Sequence, residues 1–141
     1  MMKDWLRKHP DVRTIRVAAA DLNGQARGKR VPTRFAENVT KNGTRFPFSV
    51  LSLDIWGEDI DDSPLVFEQG DQDGVLKPTE RGFMPMPWLE APTALLPIWM
   101  FRENGQPYEG DSRHALNAVV QRYKERGLTP VVATELEFFL I

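Results

Sequence analysis

The sequence predicts an α+β domain built on a small mixed sheet, and three observations carry that prediction. Residues 12–20 alternate between faces and lead into Asn23-Gly24, a pair that tolerates the positive φ angles of a hairpin turn. Thr93 to Phe101 is an apolar run of buried-strand length. Between Asp111 and Gly127, apolar residues recur at helical spacing, with a capping side chain before them and a terminating glycine after them.

Taken in order, residues 2–9 form a short leading helix that Pro10 ends. Ile15, Val17 and Ala19 then share one side of a strand, with Arg16 and Ala18 on the other, and the segment from Val12 to Ala20 folds back onto Gln25 to Val31. Thr33 is placed to cap a short helix running to about Lys41. From Gly43 to Pro92 the chain is dense in proline and glycine. Its apolar runs, at Ser49 to Trp56, Leu65 to Phe67, Val75 to Leu76 and Phe83 to Trp88, read as short strands and loops rather than helix. The long strand follows, and Asn104-Gly105 supplies a second hairpin-type turn. Asp111 opens the second substantial helix, whose apolar positions are Ala115, Leu116, Val119, Val120 and Tyr123. His114, in its first turn, is expected at the surface. Thr129-Pro130 leads into a final strand pattern over residues 131–141.

Composition excludes more than it assigns. A chain of 141 residues that is 41% hydrophobic is of single-domain size. Its 18 basic and 20 acidic residues leave a net charge of −2, so no overall field draws nucleic acid or an anionic membrane. The absence of cysteine removes disulfides, thiolate nucleophiles and zinc–thiolate sites from this chain. The start lacks a signal-peptide pattern, and no window approaches the roughly 20 apolar residues of a membrane span, so a cytoplasmic protein is expected. Neither standard glycine motif for cradling phosphate occurs.

The last strand carries the chemistry. Glu135 and Glu137 share a face with Val131, Ala133, Phe139 and Ile141, while Val132, Leu136, Phe138 and Leu140 occupy the other. A strand apolar on both faces belongs inside a larger sheet or barrel, and the chain is expected to continue beyond Ile141. Buried carboxylates need cations, a metal or solvent. At the strand rise, two on one face stand roughly 7 Å apart, far enough for each to hold a different divalent cation through oxygen. An ordinary edge strand with its glutamates in water fits the same pattern. The compact basic group Arg27, Lys29 and Arg30 reads either as a polyphosphate contact or as a solvated strand face. Trp56 and Trp88 read either as walls of an amine pocket or as packing residues.

Four segments, in order, resemble the amino-terminal part of glutamine synthetases and related γ-glutamyl-amine ligases. They are Val17 to Pro32; Asp73 to Pro78 with Met86-Pro87-Trp88; Gly105 to Tyr108 with Asp111-Ser112-Arg113; and Glu135 to Leu140. The resemblance implies a β-grasp-like amino-terminal domain over residues 1–110. It implies that residues 111–141 are the first helix and strand of a truncated catalytic domain. It further implies that Glu135 and Glu137 bind two different divalent metals, Mg²⁺ or Mn²⁺. These metals orient ATP and the glutamate γ-carboxylate, so that an acyl phosphate forms and an amine attacks it. Active sites between the subunits of a homo-oligomer follow from the same likeness.

In that family an aspartate of the amino-terminal domain helps to deprotonate the incoming ammonium, and Asp54 in Leu51 to Gly57 matches its place. The segment lacks the Asp-Gly-Ser-Ser pattern of ammonia-using members and looks more like the γ-glutamylpolyamine branch, which favours an organic amine over ammonia. A turn carboxylate at a strand end is the alternative role for Asp54. The chain alone is expected to be inactive. A freestanding β-grasp binding or regulatory module, its terminal strand adding to a partner's sheet, is the competing reading.

Overall fold

The computed structural model describes residues 2–141. Its six-stranded sheet has the order β2-β1-β6-β4-β3, with β5 pairing separately to β6. The strands are β1 (Thr14–Ala20), β2 (Ala26–Pro32), β3 (Thr44–Pro47), β4 (Asp73–Pro78), β5 (Met84–Pro85) and β6 (Thr93–Phe101). The helices are α1 (Met2–Lys8), α2 (Ala36–Asn42), α3 (Pro64–Phe67) and α4 (Ser112–Lys124). The first hairpin forms, with Thr14 opposite Pro32 and Ala20 opposite Ala26. Its turn is one residue longer than a two-residue Asn23-Gly24 turn: the Asp21 N–H donates to the Gln25 carbonyl at 2.9 Å, and Gly24 takes a positive φ while Asn23 does not. β1 and β6 run parallel at the centre of the sheet, and every other pair is antiparallel.

The central pair is also where the core sits. Ile15, Val17 and Ala19 of β1 and Ala94, Leu96, Ile98 and Met100 of β6 alternate onto one face. Ala36 and Val39 of α2, Leu51 and Leu76 complete that layer, and Trp5 of α1 tilts against Phe83 with ring centroids 5.5 Å apart. At one point β2 comes so close to β1 that a Cβ on Gly28 would lie 1.8 Å from the Val17 carbonyl oxygen. Only glycine fits there.

Several local expectations need correction. Thr33 does not cap: its segment starts as a 3₁₀ turn (Thr33–Phe35) that leads into α2, without a side-chain cap bond at either start. The runs at 49–56 and 65–67 contain helical turns, Phe48–Leu51 and Pro64–Phe67, in place of short strands. Runs of three or four apolar residues look alike in either state, and Pro47 and Pro64 open helical turns naturally. His114 is drawn inward rather than exposed. Its Nε2 donates to the Met100 carbonyl at 2.8 Å, and its ring sits 4.6 Å from Trp99 and 4.9 Å from Phe101.

The expected strand at 131–141 does not form: residues 128–141 carry no hydrogen-bonded secondary structure. A strand needs a neighbour for its backbone groups, and no strand among the described residues pairs with this segment. Phe139 is 96% exposed and Leu140 91%. Upstream, α4 is capped as expected, with Asp111 Oδ1 accepting from the Arg113 N–H at 2.9 Å. Gly127 follows the helix at φ 71°. None of its residues is buried. No helix among the described residues is long and apolar enough to cross a membrane.

Candidate functional site

The hairpin turn builds the platform for the best-defined polar site. Asp21, at the end of β1, is almost wholly buried. Its Oδ1 accepts the Asn23 and Gln25 backbone N–H groups at 2.8 Å each, and its Oδ2 accepts from Arg27 Nε at 2.7 Å. Burial pushes this carboxyl up, but the Arg27 guanidinium and the two amides outweigh it and hold it below its ordinary value. The turn thus becomes rigid and points its polar groups at a second loop.

That loop is Leu51 to Glu58. The Leu22 N–H donates to the Leu51 carbonyl at 3.1 Å, and Asn23 Nδ2 donates to the Leu53 carbonyl at 2.8 Å. Gly57, at φ 91°, lets the loop lie against Arg27, where a Cβ would meet Nη1 at 2.8 Å. Inside the loop, Asp54 Oδ1 accepts the N–H groups of Trp56, Gly57 and Glu58 at 2.9, 2.8 and 2.9 Å. The Asp54 N–H in turn donates to the Glu58 carbonyl at 3.0 Å. Asp54 thus braces its own turn, in a loop that follows the 3₁₀ turn Phe48–Leu51 and not a strand end, and among the described residues its other carboxylate oxygen has no hydrogen bond. Beside it, Trp56 is 80% exposed. An open carboxylate oxygen next to an exposed indole face is suited to a cationic group such as an ammonium.

Glu135 and Glu137 lie on the exposed terminal segment, and no hydrogen bond or ion pair joins either of them to the Asp54 loop. Among the described residues no group of three or more His, Cys, Asp or Glu is placed to hold a metal. Two carboxylates supply the right donor chemistry for Mg²⁺ or Mn²⁺ but too few ligands, because such ions take about six oxygens.

The basic group separates into three roles. Arg27 neutralises Asp21. Lys29 Nζ donates to the Arg45 carbonyl at 2.9 Å and sits over the Phe46 ring. Arg30 stands opposite Arg16. Trp88 is exposed rather than packed in the core. Sequence reasoning missed the positioning roles of Asp21 and Arg27, although an aspartate two residues before an Asn-Gly turn is a usable signal.

No family model matches the chain. Curated proteins do match it. It is 34% identical over 140 residues to the γ-glutamylputrescine synthetase PuuA of Escherichia coli K12, covering 99% of this chain and 29% of that one. It is 28% identical to a Thermotoga maritima glutamine synthetase over 93% of this chain and 28% of the relative. It is 26% identical to a glutamate–isopropylamine ligase of a Pseudomonas species over 99% of this chain and 30% of the relative. The chain thus spans under a third of the length of these relatives.

Among solved structures, a GmaS–ADP complex superposes with a TM-score of 0.68 at 24% identity, over 89% of this chain and 26% of that one. A glutamine synthase homologue gives 0.69 at 23%, over 82% of this chain and 27% of that one. These structures show the fold. The sequence matches show that the chain is similar to glutamine synthetases and γ-glutamyl-amine ligases.

Proposed function

We propose that the chain serves as the amino-terminal part of an ATP-dependent ligase that joins the glutamate γ-carboxylate to an amine. The observation that carries this reading is the 34% identity to a γ-glutamylputrescine synthetase along 99% of the chain. In this reading residues 1–110 form a β-grasp-like domain, consistent with a hairpin, a helical crossover and a parallel central strand pair. Residues 111–141 begin the catalytic domain, which also supplies the sites for ATP and glutamate.

Asp54 receives the amine in this scheme. Its free carboxylate oxygen accepts a hydrogen bond from the ammonium and takes its proton, leaving the neutral amine to attack the activated carboxyl. Trp56 lines the approach with its ring face, which favours a cation carried on an alkyl chain. The exposed Trp56 ring favours an organic amine ahead of ammonia, whereas the Asp54 oxygen would accept either. Glu135 and Glu137 would each hold a different divalent metal, Mg²⁺ or Mn²⁺, together with ligands from elsewhere in the enzyme, and the metals would supply charge that offsets the phosphates.

The test is an assay of the full-length protein for ATP- and glutamate-dependent γ-glutamyl product with putrescine, isopropylamine, ethanolamine and ammonia. Product with a diamine or monoamine is expected, with none from the 141-residue chain alone. Full-length protein that hydrolyses no ATP with glutamate and any of these amines overturns the ligase.

A further inference from the structure

On the sheet face opposite the core, Arg16 of β1 stands directly across from Arg30 of β2. Like charges at directly opposed positions destabilise a strand pair. Arg16 Nε is closed off from solvent and has no hydrogen-bond partner. Neither arginine enters an ion pair among the described residues, and no carboxylate is among the residues lining the pocket they share. That pocket is an open hollow of about 350 Å³, whose other walls include Leu95, Met86 and Trp88.

A guanidinium with no carboxylate partner lacks the charge-assisted hydrogen bonds that a bound oxyanion would supply to it. A guanidinium matches the flat, forked geometry of carboxylate and phosphate oxygens, and the strand register sets these two arginines at directly opposed positions on one pocket. The apolar wall beside them suits a flat hydrocarbon body, and the volume lies within the range of small-ligand pockets. From this arrangement we propose that the pocket binds a small oxyanion, a carboxylate or phosphate, carried on a planar apolar group. The oxyanion bridges Arg16 and Arg30, and the body lies against Trp88 and Met86. This site is separate from the Asp54 loop and does not depend on the ligase reading.

The test titrates the full chain with benzoate and with phenyl phosphate by calorimetry and tryptophan fluorescence, using acetate and inorganic phosphate as controls without the apolar body. One of the two aromatic anions is expected to bind about tenfold more tightly than its control, and the tighter of them identifies the oxyanion source. Arg16→Met is expected to weaken binding by at least about tenfold. Arg30→Glu, on an exposed edge position that tolerates exchange, gives Arg16 an internal partner. It is expected to abolish binding while raising the unfolding temperature by about 2 °C. No saturable binding of either anion up to about 10 mM, in a chain whose near-ultraviolet circular dichroism shows ordered aromatics, overturns the proposal. Unchanged binding in Arg30→Glu does the same.

Discussion

The sheet over residues 14–101 and the segment over 112–141 contrast in how they use apolar side chains. In the sheet, Val17, Leu76, Leu96, Ile98 and Met100 are all but sealed from water. In α4 and the residues beyond it, Leu116, Val119, Tyr123, Val131, Leu136 and Phe138 are exposed although their patterns are as regular. The difference lies in partners rather than in propensity. A capped helix closes its own hydrogen bonds and persists without them, whereas a lone strand has nowhere to put its backbone groups. Hence α4 forms and the 131–141 strand does not.

The sharpest way to break this contrast is to hollow out both regions. Leu96→Ala removes a sealed side chain and should cost about 3 kcal/mol or more in urea unfolding. Leu116→Ala should cost less than about 0.5 kcal/mol, since it alters an exposed position. Comparable losses from the two would mean that α4 packs in solution against something the sheet does not reveal.

The junction between the regions should respond next most strongly. Asp111 is fully buried, and its Oδ2 accepts the Met100 N–H at 2.9 Å, tying the start of α4 to β6. Asp111→Ala removes a helix cap and orphans that amide, at a cost of about 2–3 kcal/mol in the same experiment. Within the sheet region, Arg27→Met should cost about 2 kcal/mol and shift the acid limb of stability. The Asp21 carboxyl sits below its ordinary value, so its contribution is complete above the unfolded-state pKa of 3.8 and fades as pH falls through the lower folded value. Without Arg27 only the Gln25 and Asn23 amides oppose burial, so the folded pKa rises and acid unfolding begins at higher pH.

The smallest of these effects concerns the terminal segment. Glu135→Ala and Glu137→Ala should leave the stability of the isolated chain within about 0.5 kcal/mol of the parent. Under the proposed ligase reading, each should abolish metal-dependent turnover of the full-length protein. Wild-type rates in both variants would remove these residues from the metal site.

What could be read in the sequence follows the same division. The Asn23-Gly24 hairpin, the Asp111 cap and the Gly127 stop rest on contacts within a few residues, and all three appear where expected. The inward turn of His114 depends on Trp99 and Phe101, thirteen to fifteen residues away, and no local pattern announces it. The short helical turns at 48–51 and 64–67 are too brief for periodicity to separate from strand. Asp54 was legible as a carboxylate at a turn. That its loop rests on Asp21, Arg27 and Asn23 was not, because the contact joins two turns thirty residues apart in the chain.

The three amides gathered on one Asp54 oxygen limit how this position can change over time. Drift to glutamate would keep the charge but set the acceptor a carbon too far out, and drift to alanine would release three N–H groups at once. Asparagine keeps the acceptor and surrenders only the charge. Asp54→Asn is thus a substitution that tests the proposed proton transfer while leaving the shape of the loop alone, and a lineage that never used that chemistry could hold asparagine there equally well.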